Sequence, residues 1–262
     1  MMSALSEVFG RAGCKALIGY LTVGYPDLAT TLRAVEVLEK AGCDVVELGI
    51  PFSDPIGDGP VIQSASFRAL ENGVTPQDCI ETARQLRRTV RLPLVFMGYY
   101  NPVLSYGPVA FCRSAAEAGV NGLIVPDLPP EESGVLSEAA RDAGLDLVHL
   151  LAPTSTAERV ATVARQSRGF IYLVSVAGVT GTRSGVPDYL PEFIGRVRSA
   201  TSQPLAVGFG VSTPEQAEAM AAHANGVIIG SQLIRLIDED PSLGKLAEFI
   251  RATRRALDGV KD

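Results

Sequence analysis

The chain has 262 residues, 47% of them hydrophobic, and a formal net charge of −6. That length suits one large α/β domain with a core that needs no disulfide or metal staples. The charge balance, with no basic stripe, excludes nucleic acid as an expected partner, and no apolar run approaches the roughly 20 residues of a membrane helix.

In chain order, Met1 to Lys15 has no basic stretch followed by an apolar block, so no signal peptide is expected and the expected location is cytoplasmic. Apolar strands are predicted around Ile18, Val46, Val95, Ile124, Val148, Leu173, Ala206 and Ile228. They lack polar alternation, as parallel strands covered on both faces do. Helices separate them. Thr31 to Lys40 puts Leu32, Val35 and Leu38 on one face. Thr75-Pro76-Gln77-Asp78 starts a helix with Pro at its first position. Ser155-Thr156-Ala157-Glu158 and Thr213-Pro214-Glu215-Gln216 read as capping boxes.

One phrase recurs: a helix ends in Ala-Gly or Ala-Asn and a short strand follows. It occurs at Ala41-Gly42, Ala118-Gly119, Ala143-Gly144 and Ala224-Asn225. Gly or Asn there supplies a left-handed helix stop. About eight such strands close a barrel, so the expected fold is α/β, one (β/α)8 TIM barrel with extra short helices over residues 1–262. An open doubly wound sheet is the rival. Tyr20-Leu21-Thr22-Val23-Gly24-Tyr25-Pro26 lacks the G-x-G-x-x-G turn such a sheet would carry.

Cys14, Cys43, Cys79 and Cys112 form no C-x-x-C pair and read as reduced, buried thiols. Only two histidines are present, so a three-histidine metal site is excluded, and no metal site is expected. His149 sits in a strand as a core residue, and His223 falls near a helix end.

Glu47 interrupts the apolar run Val45-Val46-Glu47-Leu48. A carboxylate there is buried, and burial raises its pKa. Alternation puts it beside Val45 on the barrel interior. The loop from Gly49 to Pro60 follows, rich in Gly and Pro, and offers Asp54 and Asp58 as second acids. Their spacing alone does not choose between them, because Asp before Pro or Gly is ordinary turn chemistry. Glycines gather after the sixth, seventh and eighth strands: Gly178 and Gly181, Gly208 and Gly210, then Gly230-Ser231. Loops after strands seven and eight are the usual phosphate site of such a barrel. Seven tyrosines (Tyr20, Tyr25, Tyr99, Tyr100, Tyr106, Tyr172 and Tyr189) fall near strand ends. They suit either a pocket for a flat ligand or ordinary half-buried rims.

The run Val46-Glu47-Leu48-Gly49-Ile50-Pro51-Phe52-Ser53-Asp54-Pro55-Ile56-Gly57-Asp58-Gly59-Pro60 closely resembles the signature of tryptophan synthase α subunits. Tyr99-Tyr100-Asn101-Pro102, Val125-Pro126-Asp127-Leu128-Pro129, Gly178-Val179-Thr180-Gly181 and Gly208-Phe209-Gly210 resemble further segments of that family, in family order. The resemblance implies retro-aldol cleavage of indole-3-glycerol phosphate to indole and glyceraldehyde 3-phosphate. It implies Glu47 as acid/base and Asp58 as the carboxylate facing the indole N–H. It implies an indole pocket of Tyr20, Met97, Ile124, Tyr172, Thr180 and Phe209, and a phosphate site of Gly181, Gly210, Gly230 and Ser231. It implies no cofactor on this chain, pyridoxal phosphate belonging to a β subunit. It also implies that β subunit as partner in an α2β2 tetramer, met by the loops near Ser53-Asp54-Pro55 and Asn101-Pro102. Two positions depart from the pattern: Tyr25 stands where some members have Asp, and Val176 where some have Arg. Rival readings are another phosphate-binding barrel isomerase or epimerase, a non-catalytic subunit that activates a β partner, and a stand-alone lyase.

Overall fold

The computed structural model describes residues 3–11, 14–174, 188–208 and 210–260. Its strands are β1 (Ala16–Thr22), β2 (Val45–Gly49), β3 (Leu94–Met97), β4 (Gly122–Ile124), β5 (Asp146–Val148), β6 (Leu150–Leu151), β7 (Ile171–Val174), β8 (Leu205–Gly208) and β9 (Gly226–Ile229). Every pairing is parallel, in the order β5-β4-β3-β2-β1-β9-β8-β7-β6.

The ends of that order meet in the chain, because β5 and β6 are one extended run broken at His149. The first half bonds to β4 and the second to β7. The His149 carbonyl itself accepts from the Tyr172 N–H at 3.1 Å, and the Leu147 carbonyl from the Arg168 N–H at 3.0 Å. The ring therefore closes, and the expected eight strands appear as nine segments because the fifth changes partner midway. His149 is buried, as expected, and faces away from the interior that Val148 lines.

The helices are α1 (Ala4–Phe9), α2 (Leu28–Ala41), α3 (Pro60–Glu71), α4 (Pro76–Leu86), α5 (Tyr100–Tyr106), α6 (Pro108–Glu117), α7 (Gly134–Ala143), α8 (Ala157–Gln166), α9 (Leu190–Arg198), α10 (Pro214–Ala221), α11 (Ser231–Glu239) and α12 (Gly244–Asp258). Apolar side chains fall into two main layers. Ile18, Val45, Val95, Ile124, Val148, Tyr172, Ala206 and Ile228 fill the barrel, with Leu5 and Val8 of α1 packed against them. The alternate residues, such as Leu17, Val46, Phe96, Leu147 and Val227, pack outward under the helices. Two core layers around one parallel sheet are what strand alternation produces when helices cover the outside.

Local signals held in some places and shifted in others. Gly42 and Gly144 stop α2 and α7 in left-handed geometry. Gly119 has positive φ one residue past the Ala118 cap. At α4 Pro76 stands in the first turn, as expected, and a capping box forms as well, with Asp78 reaching back to Thr75. At α8 the cap is Thr156, which accepts from the Arg159 N–H, while Ser155 accepts from Ala152. With Arg159 at the third position, no carboxylate can complete a box. At α10, Thr213 caps, but Gln216 turns aside to accept from Ser212. Cys43, Cys79 and Cys112 are buried free thiols, whereas Cys14 is exposed.

Ala224-Asn225 does not end a helix, since α10 stops at Ala221. Asn225 instead belongs to a clamp that recurs three times at the N-terminal end of the barrel. The residue before a strand donates its N–H to the neighbouring strand's first carbonyl layer. Its side-chain oxygen accepts the N–H of that same neighbour, and an arginine covers it. Asn225 does this with Leu205 and Arg198. Asn121 does it with Leu94, at 2.8 and 3.0 Å, and with Arg87 at 2.8 Å. Asp44 does it with Leu17, at 2.8 and 2.9 Å, and with Arg254 at 2.9 Å. Each clamp satisfies a buried N–H that no strand partner reaches, and fixes the register of one strand pair.

Asn121→Ala strands the Leu94 N–H and part of Arg87. It should lower stability by about 1–3 kcal/mol in urea unfolding, with Asn121→Asp losing much less. An Asn121→Ala protein within about 0.5 kcal/mol of wild type, the range of an ordinary surface change, would show that the clamp is incidental.

Candidate active site

Glu47 lies opposite Tyr20 of β1 and Val95 of β3, near the C-terminal end of β2. It is fully buried, and neither carboxylate oxygen has a hydrogen-bond partner among the described residues. Burial alone pushes its pKa up to about 8. The carboxyl group is therefore protonated near neutrality, as a dry site without compensating donors requires.

Asp58 sits on the loop after β2, half-buried, while Asp54 is exposed and takes a hydrogen bond from Ser53. The structure thus separates two residues that the sequence left equivalent. Burial raises Asp58 to about 6, against a lowering hydrogen bond from the Tyr99 hydroxyl at 3.1 Å. The two carboxyl groups are held at different values by different surroundings.

Tyr99 was legible in the sequence only as one of seven tyrosines near strand ends, with no role assigned at Asp58. Its hydroxyl also accepts the Gly57 N–H at 2.9 Å. Its ring stacks on Phe52 with centroids 5.2 Å apart. Ser66 of α3 closes the loop's other side, accepting from the Phe52 N–H and donating to its carbonyl. Gln63 donates to the Asp58 carbonyl at 2.9 Å. The available signal was position: Tyr99 follows β3 immediately beside the loop that β2 emits.

Two tyrosines lean across glycines at the strand ends. A Cβ on Gly49 would lie 2.1 Å from the Tyr20 hydroxyl, and one on Gly208 would lie 2.6 Å from that of Tyr172. In each case the ring on one strand occupies the space that a side chain on the next strand would need. Tyr20 and Tyr172 are both buried. Burial first, then the charges of Asp58 and Glu47, hold both phenols far above their ordinary value. Glu47, Asp58, Tyr20 and Tyr172 therefore share one electrostatic neighbourhood. Met97 and Ile124 join it from the barrel interior.

The expected phosphate residues fall at the same end. Gly210 has φ +68, a left-handed geometry that favours glycine, and open space where a Cβ would go. Gly230 precedes α11 with no side-chain cap, so Ser231 opens the helix with its first N–H groups outside the intrahelical ladder. Thr180, Gly181 and Phe209, and with them Val176, lie outside the described residues. Of the other tyrosines, Tyr106 lies away from the pocket, bonded to Gln77 and packed on Phe111, and Tyr189 caps α9. Among the described residues no cluster of His, Cys, Asp and Glu could hold a metal ion, and no helix is long and apolar enough to cross a membrane.

The comparisons with known proteins agree with this geometry. Residues 9–257 match the family model described as tryptophan synthase alpha chain. A tryptophan synthase alpha chain of Dehalococcoides mccartyi is 55% identical, over 98% of this chain and 100% of that one. A chain of the solved tryptophan synthase of Mycobacterium tuberculosis superposes with a TM-score of 0.92 at 39% identity, covering 98% of this chain and 99% of the other. The tryptophan synthase alpha chain of Legionella pneumophila gives 0.89 at 36% identity, covering 99% of each. An open doubly wound sheet is ruled out by the closed ring of strands, and the chain belongs to the tryptophan synthase alpha chain family.

Proposed function

We propose that this chain cleaves indole-3-glycerol phosphate into indole and glyceraldehyde 3-phosphate, with Glu47 and Asp58 as its catalytic residues. The observation that carries this reading is Glu47, fully buried with no hydrogen-bond partner among the described residues and held near pKa 8, in one electrostatic neighbourhood with an Asp58 held near 6. The protonated Glu47 carboxyl delivers its proton to indole C3. Positive charge then develops at the ring nitrogen, and the ionised Asp58 accepts the N–H hydrogen bond and stabilises it. Glu47, now a carboxylate, takes the proton of the side-chain hydroxyl next to the ring. The carbon–carbon bond breaks, its electron pair returns to the indole ring, and the aldehyde leaves. Tyr20, Met97, Ile124 and Tyr172, with Thr180 and Phe209, would enclose the indole. Backbone amides at Gly181, Gly210, Gly230 and Ser231 would hold the phosphate and supply orientation. The step needs no cofactor, and pyridoxal phosphate would belong to a β subunit.

That β subunit is the proposed partner, in an α2β2 tetramer. Support comes from the surface beside the Asp58 loop. Ile56 is 85% exposed, Phe67 61% and Leu104 56%. Between them Pro51, Phe52, Leu70, Pro102 and Tyr106 line an open groove. Such an apolar patch marks an interaction site.

The first test is indole release by wild type, Glu47→Gln and Asp58→Asn. Each substitution should cost about 10²–10⁴-fold in kcat. A Glu47→Gln enzyme that keeps full activity would remove Glu47 from the mechanism. The pH profile supplies a second check. Glu47 must start protonated, so the rate falls as pH rises through about 8. Asp58 must be ionised, so the rate falls as pH drops through about 6. Asp58→Asn should lose the acid limb, and a flat wild-type profile across that range would contradict both assignments. For the partner, gel filtration of the mixed subunits should show one larger complex, weakened by Ile56→Asp with Phe67→Asp. Free elution of the wild-type chain would refute the docking.

A further inference from the structure

Tyr25 occupies a position that the catalytic reading does not use. It lies in the turn after β1, where its N–H bonds to the Thr22 carbonyl at 3.2 Å. Its ring is 8% exposed, and it packs with Ala65 and Val61 of α3 and Ile234 of α11 in a small cluster separate from the two main cores. Its hydroxyl donates to Asp238 on α11 at 2.5 Å. The two helices it joins each begin at the candidate site. α3 starts two residues after Asp58, and α11 starts at Ser231. Their first turns also meet directly. Gly230 faces the side chains of Ile62 and Tyr20, both 3.4 Å from where its Cβ would be. A substrate spanning Asp58 and the start of α11 therefore meets two groups whose separation depends on how α3 and α11 sit against each other.

We propose that Tyr25 is a positioning residue that fixes the spacing between the Asp58 loop and the anion-binding end of α11. This rests on the function proposed above. The ring wedges between the helices and sets their distance. The hydroxyl, held by Asp238, stops α11 from rotating or sliding along α3. Without that bond the site must be drawn together when substrate binds, so the loss falls on binding more than on the chemical step. A displacement near 1 Å at a catalytic group can cost about 10²-fold. A helix still wedged by the ring should move by much less.

The test compares wild type, Tyr25→Phe, Asp238→Ala and the double variant. The KM for indole-3-glycerol phosphate should rise about 3- to 10-fold in each single variant, with kcat within about twofold. The double variant should be no worse than either single one, because both remove the same bond. Affinity for inorganic phosphate, measured by calorimetry, should fall in parallel. Asp238 is exposed, so Asp238→Ala, which leaves no acceptor, tests the bond even if Tyr25→Phe folds poorly. Unchanged KM and phosphate affinity in Asp238→Ala would overturn the proposal, as would strictly additive losses in the double variant. Wild type that releases no indole would sink the proposed reaction instead. The phosphate titrations would then still decide whether Tyr25 positions α11.

Discussion

Among the described residues no hydrogen-bond donor reaches the Glu47 carboxyl group inside this barrel, and the proposed chemistry turns on its proton. Ionising Glu47 there would place a bare charge in an apolar interior. The fold avoids this by leaving the group neutral up to about pH 8. The sign of the linkage follows. A folded pKa raised above the ordinary 4.5 leaves stability untouched below that value, and stability is lost as pH climbs toward 8. The protein thus gives up stability at high pH for a carboxyl that keeps its proton in a dry place.

The two ends of the barrel meet different demands. At the N-terminal end Asp44, Asn121 and Asn225 each close a register with an arginine behind them. Those side chains act on backbone that must not move. At the C-terminal end the strands finish in Gly49 and Gly208, and the space left by two absent side chains is filled by the Tyr20 and Tyr172 rings. Both rings are buried and share the electrostatic neighbourhood of Glu47. Glycine here serves close packing of a ring against backbone, and its conformational freedom is not used.

Much of this was legible in the sequence, and the limits have physical causes. All eight strand centres fell in strands, because runs covered on both faces are apolar throughout. Glu47 stood out for the same reason, as a charge in the middle of such a run. The break at His149 was not legible, since a strand that changes partner midway keeps its apolar pattern. The clamps were read as helix stops at Asn225, because Asn serves both purposes and only the neighbouring strand decides. Asp58 and Asp54 carry equal turn signals. What separates them is Tyr99, 41 residues away, whose hydroxyl reaches Asp58. The Tyr25–Asp238 bond spans 213 residues and leaves no local trace in the sequence.

The placement of the two acids explains why one is on a strand and the other on a loop. A proton donor with a raised pKa must be dry, and only the barrel interior is dry without help from substrate. A strand also fixes it, so the proton is delivered to one place. The second carboxyl has to be charged while the first is not. It therefore needs partial exposure and a donor, which a loop at the barrel mouth provides through Tyr99. Moving both acids to the interior would raise both values, and moving both to loops would lower both. The division between strand and loop is what sets the two carboxyl groups apart, and that separation is what the proposed roles of acid and charge stabiliser require.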